Sequence, residues 1–301
     1  MKRMLTLLLA LTLLLAGCDT TAEPAGESAA ESASQTISAA EIGNTAESSE
    51  NTGTDLEVYF FSAGKADAIL LTTENSAVLI DCGEKGFGKD ILAYLEEQNI
   101  DHLDYLIITH FDQDHVGGAA KVINNISVDT VLQSDYPKDS EEYEKYVKAL
   151  DSAGIEAITV RETLEFTLDG VTYSVDPPRQ SDYDQDDSNN SSLIVWVYNG
   201  NNTLLFAGDA QTERLEEFLE AGVETCDLLK IPHHGREDAL MDDLIAAVHP
   251  DYAVITCSDE EPEAESTMQA LDAQHVETYL TRQGAVLIKS NGSALTVEYT
   301  S

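Results

Sequence analysis

The chain reads as a mixed α/β (α+β) fold built on a β-sandwich, and three observations predict it. Short apolar strands alternate with amphipathic helical segments from Leu56 to Tyr299. Four of the strands stop abruptly at a polar group: Asp81, His110, Asp209 and His233. That recurrence places four ligand-capable side chains at one edge of the sandwich. Residues 19–54 hold almost nothing to bury, so the core belongs to residues 55–301.

Taken in order, Met1-Lys2-Arg3 is a basic start, and Leu5 to Ala16 is an apolar run too short for a stable transmembrane helix. The run ends in Leu15-Ala16-Gly17-Cys18, which resembles a bacterial lipoprotein signal. The resemblance implies a signal peptide over residues 1–18, lipidation at Cys18 and an extracytoplasmic protein anchored to a bacterial membrane without a spanning segment. Residues 19–54 are rich in Ser, Ala, Glu, Thr and Gly and carry no Lys or Arg, the composition of a disordered acidic tether. Beyond Cys18 only Cys82, Cys226 and Cys257 remain, an odd number on expected buried strands, so no disulfide framework is read. A net charge of −40 argues against non-specific attraction to nucleic acid or anionic lipid. A nuclease reading then needs divalent cations to shield the site.

Within 55–301, Leu56–Phe61, Ile69–Thr72 and Ala77–Ile80 read as strands, the last running into Asp81-Cys82-Gly83. A helix over 89–98 precedes a strand over 105–109. Then comes His110-Phe111-Asp112-Gln113-Asp114-His115-Val116-Gly117-Gly118, with a helix expected from Gly117. Imidazoles and carboxylates at this spacing are good ligands for divalent cations, and one such loop can serve two of them. A strand over 130–133, a helix over 140–153, a strand over 155–160 and a hairpin turning at Asp169-Gly170 come next. Residues 177–192 read as a solvated acidic loop. The strand Thr203–Phe206 ends in Ala207-Gly208-Asp209, and Asp227–Ile231 ends in Pro232-His233-His234-Gly235. Helices over 238–248 and 263–274, a strand over 252–257 between them, and two closing strands complete the chain.

The segment His110-x-Asp112-x-Asp114-His115-x-Gly117-Gly118 resembles the signature loop of the metallo-β-lactamase fold, in the variant of ComEC-type (competence protein) extracytoplasmic hydrolase domains and their stand-alone relatives. Ser62 to Ala68, Asn189 to Val195, Pro232-His233-His234-Gly235 and Thr281 to Val286 resemble further segments of the same group. The resemblance covers most of residues 55–301 and implies a four-layer αββα sandwich. It implies one or two divalent ions (Zn or Mn) held by His110, Asp112, Asp114, His115, a bridging Asp209 and His233, with Asp114 and His234 managing a proton. Asp81 is then structural support for the metal loop, and Asp67 either a turn residue or a support or substrate contact. No His stands between His115 and His233, so the family's third-motif imidazole is absent or replaced by Asn190, Ser192 or water. Glu261-Pro262 stands where relatives carry His-Pro. The implied activity is hydrolysis by a metal-bound hydroxide, of phosphodiesters rather than β-lactams, in DNA, nucleotides or cell-envelope groups. A catalytically degenerate binding module is the reading from another class. No protein partner is evident.

Overall fold

The structure, a computed structural model, describes residues 53–183 and 187–300. The expected signal peptide, Cys18 and the expected tether up to residue 52 lie outside the described residues. Strands β1 (Leu56–Phe60), β2 (Ile69–Thr72) and β3 (Ala77–Ile80) form an antiparallel meander. Helix α1 (Gly88–Glu97) then returns the chain to β4 (His102–Ile108), parallel to β3. Two short helices, α2 (Gln113–Val116) and α3 (Ala119–Ile123), lead to β5 (Ser127–Gln133), and α4 (Glu141–Ala153) leads to β6 (Ile158–Thr159).

The second sheet begins with the hairpin β7 (Leu164–Leu168) and β8 (Val171–Asp176). After α5 (Asp187–Asn190) it continues with β9 (Ile194–Asn199) and β10 (Asn202–Phe206). Next in the chain are helix α6 (Thr212–Glu220), β11 (Leu228–Lys230), α7 (Met241–Val248), β12 (Tyr252–Ile255), α8 (Glu265–Ala273) and β13 (Glu277–Leu280), with β10 to β13 paired in parallel. Strands β14 (Ala285–Ser290) and β15 (Leu295–Thr300) close the first sheet beside β1. The orders are β15-β14-β1-β2-β3-β4-β5-β6 and β13-β12-β11-β10-β9-β8-β7.

Three apolar cores define the layers. Val58, Phe60, Leu71, Ile80, Val175, Val195, Leu204 and Phe206 pack between the sheets, with the rings of Phe60 and Phe206 stacked at 6.0 Å. Ile91, Leu95, Val122 and Tyr146 from α1, α3 and α4 cover the first sheet against Leu79 and Leu106. Leu215, Phe218, Leu244, Ile245 and Leu271 from α6, α7 and α8 cover the second against Leu205 and Leu229. Strands covered on both faces are apolar at almost every position, as in β3 and β9, whereas β7 alternates because one face meets solvent. The molecule is therefore an αββα sandwich.

Local differences from the sequence reading have physical causes. The helix expected from Gly117 is present as α3, and the unexpected turn α2 precedes it, because the Asp112 carbonyl, on an extended residue, accepts from His115 N and Val116 N. Asp114 and His115 thus sit in a helical turn. The strand expected over 155–160 shrinks to two residues, its ladder limited to Leu132 and Gln133 of β5. Polar β13 was not expected; β12 offers it a parallel edge. The loop over 177–192 holds the short helix α5.

Candidate metal centre

Parallel strands point one way, so their carboxyl ends share an edge. In the first sheet β3 and β4 deliver Asp81 and His110 there; in the second, β10, β11 and β12 deliver Asp209, the His233-His234 pair and Thr256. The metal loop is then pressed onto the exit of β3. A Cβ on Gly118 would lie 2.1 Å from the Cys82 carbonyl oxygen, so only glycine permits this approach. Cys82 N donates to His115 O at 2.8 Å in the same contact, which sets Asp81 against the His115 ring.

Three buried imidazoles present the same nitrogen to a common centre. His115 Nδ1 lies 2.8 Å from Asp81 Oδ2. His110 Nδ1 lies 3.2 Å from Thr109 Oγ1, whose hydroxyl donates to Asp81 Oδ2 at 2.6 Å. His234 Nδ1 lies 3.1 Å from Thr256 Oγ1, whose hydroxyl donates to Asp67 Oδ1 at 2.6 Å. Each threonine has spent its proton on a carboxylate, so it accepts from the imidazole. The network thus assigns the Nδ1 proton in all three rings and turns Nε2 inward.

Asp209 stands among them. Its Oδ2 is 3.1 Å from His115 Nε2 and 3.0 Å from His234 Nε2, and its backbone N–H donates to Ser192 Oγ at 3.1 Å. Asp114 Oδ2 is 3.4 Å from His234 Nε2 and 3.1 Å from Lys65 Nζ. Beneath them the fully buried Lys230 donates to Gly208 O at 2.9 Å, pairs with Asp67 and lies 3.6 Å from Asp209 Oδ1.

This donor set fits a divalent cation. The Nε2 atoms of His110, His115 and His234 and the Oδ1 of Asp209 are buried without an aligned hydrogen bond. Buried polar atoms are rarely left so, and each such loss is costly. Donor atoms of His110, His115 and Asp209 all lie within 4.8 Å of one another, as do those of Asp114, His115 and His234.

Protonation depends on the same geometry. Burial pushes His110 down to about 4, with the nearby His115 adding to the effect. Burial alone would also lower His115 and His234, but the carboxylates around them, Asp209 first, outweigh it and raise both. Asp209 is the mirror case: burial would raise it, yet His115 and His234 hold it well below the carboxylate range. Lys230, opposed by burial, is raised by Asp67 and Asp209. A cation entering the site therefore displaces protons from His115 and His234.

Asp81 accepts three hydrogen bonds, from Thr109 N at 2.8 Å, Thr109 Oγ1 and His115 Nδ1. Asp81→Asn is expected to weaken metal affinity about 10- to 100-fold while keeping the fold, the usual range for such supports. Asn also tolerates the positive φ of 57° found there. Competition with a chromophoric chelator measures this, and unchanged affinity would refute the role.

Several expected site residues stand elsewhere. Of the expected ligand His233 and the expected partner of the reacting group His234, it is His234 that the structure brings among the other donors. Both adopt left-handed backbone (φ 47° and 57°), which sends consecutive side chains apart. His234 enters the cluster, while His233 Nδ1 meets Gln211 Nε2 at 3.0 Å and its Nε2 lies 3.4 Å from Asn189 Nδ2. Asp112 pairs with Lys138 and accepts from Ser188 Oγ, with Oδ1 still 3.9 Å from His110 Nε2. Asn190, one of the expected replacements for the missing imidazole, has its Oδ1 accepting from the backbone N–H groups of Gln211 and Arg214 at the start of α6. Ser192 holds Asp209 N and lies 3.4 Å from His110 Nδ1. Glu261 pairs with Arg236 and lies 3.6 Å from Lys65 Nζ.

Lys230, Thr256, Thr109, Lys138 and Ser188 were not anticipated. A lysine inside the apolar run Leu228 to Ile231 was a usable signal, since a buried charge needs a partner. The threonines carried none. Cys82, Cys226 and Cys257 are free and buried, and burial holds the Cys82 thiol well above its usual range.

Known proteins share this fold and parts of this sequence. The profile described as "Metallo-beta-lactamase superfamily" matches residues 62–258. The chain is similar to ComE operon protein 3 of Bacillus subtilis, 28% identical over 172 residues, covering 56% of this chain and 22% of that protein. It is also similar to Recombination protein 2 of Haemophilus influenzae, 26% identical over 208 residues, covering 66% and 24%. The alignments thus span less than a quarter of either relative. Among solved structures, the metallo-beta-lactamase fold protein YhfI from Bacillus subtilis superposes with a TM-score of 0.54 at 11% identity, over 81% of this chain and 100% of that one. No helix among the described residues is long and apolar enough to cross a membrane.

Proposed function

This chain belongs to the metallo-beta-lactamase superfamily, and from that premise we propose that it is a metal-dependent phosphodiesterase acting outside the cytoplasm from a lipid anchor at Cys18. The observation that carries the phosphodiester reading is local charge. The chain holds 16 basic residues against 56 acidic ones. Yet Lys65, Lys138 and Arg236, all part-exposed, stand around the mouth of the site, where they offset Asp114, Asp112 and Glu261. Part-exposed cations beside the donor cluster can meet a substrate's negative charge that the chain as a whole would repel. The competence and recombination proteins it resembles are consistent with DNA or nucleotides as the source of the phosphodiester.

In this reading His110, His115, His234, Asp114 and Asp209 hold the cation, a mixed imidazole and carboxylate set that suits Zn²⁺ or Mn²⁺. When bound, the cation supplies Lewis acidity and a water of lowered pKa. Asp81, Thr109 and Thr256 keep the three imidazoles in the ligating tautomer. Lys230 fixes Asp67 and restrains Asp209. Lys65 positions the Asp114 carboxylate and faces the substrate's negative charge, and Asp114 is placed to take a proton.

Hydrolysis of bis-p-nitrophenyl phosphate by protein loaded with Mn²⁺ or Zn²⁺, with nitrocefin as the β-lactam control, tests the proposal. Turnover of the diester that disappears on chelation and returns with metal is expected. Turnover of nitrocefin alone would overturn the substrate class. Absence of both metal and turnover would favour a binding module.

A further inference from the structure

Resting on the metal-hydrolase reading above, we propose that the site holds one divalent cation tightly rather than two, with the Lys138 ammonium standing as a fixed charge on Asp112 where a second cation would be held. Three observations carry this. First, Asp112 is already engaged. Its Oδ1 meets both the Lys138 ammonium and the Ser188 hydroxyl, and these two donors are themselves 3.2 Å apart.

Second, the segment expected to bring a further imidazole brings hydroxyls instead. Ser188 on α5 donates to Asp112, and Ser192 accepts from Asp209 N. The sequence has no His from 116 to 232 that could take their place. Third, the donor atoms of the site fall into two triads, His110-His115-Asp209 and Asp114-His115-His234, which must share one imidazole, and among the described residues Asp112 belongs to no such group. A second cation beside Asp112 would find that carboxylate already paired, the His110 imidazole 3.9 Å away and shared with the first cation, and an ammonium of its own sign at contact distance. Coulomb repulsion at that range opposes it even near a protein surface.

Lys138 lies between β5 and α4 with its side chain 34% exposed, so its replacement leaves the cores intact. The experiment is a titration of the metal-free protein with Mn²⁺, followed by electron paramagnetic resonance and by bound-metal analysis. The wild type is expected to take up one tight ion with an isolated-ion spectrum. Lys138→Met, which removes a like charge at contact distance, is expected to tighten a second ion by about tenfold or more and to give a spin-coupled signal. Lys138→Arg, which keeps the charge, should behave as the wild type.

Two ions of similar affinity in the wild type would overturn the proposal and leave the hydrolase reading standing. So would a Met variant whose second-ion affinity is unchanged. A wild type that retains neither manganese nor zinc would remove the hydrolase reading as well.

Discussion

Asp209→Asn is expected to abolish tight metal retention and to lower kcat/KM on the order of 10³-fold, equivalent to about 4 kcal/mol of transition-state stabilisation. The carboxylate touches two imidazole nitrogens at 3.1 and 3.0 Å, and its other oxygen is buried without a hydrogen bond, 3.6 Å from Lys230 Nζ. Replacing it by the isosteric amide removes the charge that holds His115 and His234 in register. The backbone turn is spared, since the Asp209 N–H bond to Ser192 does not involve the side chain. Metal analysis after gel filtration, with circular dichroism to confirm folding, measures the result. A folded variant that keeps its metal and its rate would disprove the assignment.

The second large effect separates two neighbouring residues. His234→Ala is expected to lose metal affinity by roughly 100-fold or more, beyond the range for supporting groups, whereas His233→Ala should stay within about threefold of wild type. His234 Nε2 faces Asp209 and Asp114, while His233 lies against Gln211 and Asn189. Both residues have positive φ, so the backbone cost of the substitution is common to the pair and cancels in the comparison. Dissociation constants for the two variants decide it. The opposite order, with His233 the more damaging loss, would reinstate the assignment that sequence alone suggested.

Much of the architecture was legible because it rests on local regularities. Period-two alternation marked β1, and apolar runs marked β3, β10 and β11. The Asp169-Gly170 turn, with φ of 47° and 85°, matched its hairpin. Short or weakly apolar elements such as β6, β13 and α5 were lost or misjudged because their stability comes from a neighbour's edge rather than from their own pattern. The strand ends were legible for a different reason: an apolar run terminated by Asp or His is an uncommon junction, and it recurred.

The amino-acid sequence by itself determined the sandwich of strands and helices and the sites at which polar groups emerge from it. It determined as well that no imidazole lies between His115 and His233. Only the tertiary structure decided which of those groups meet. His234 and not His233 turns inward because two consecutive left-handed residues point their side chains apart. Thr256 and Asp67, 189 positions apart, join only when the two sheets stack. Asp112 pairs with Lys138 because the chain between β5 and α4 folds back across the loop. Periodicity along the chain reports burial, which is a local average, whereas coordination depends on directions of individual side chains brought together from distant segments.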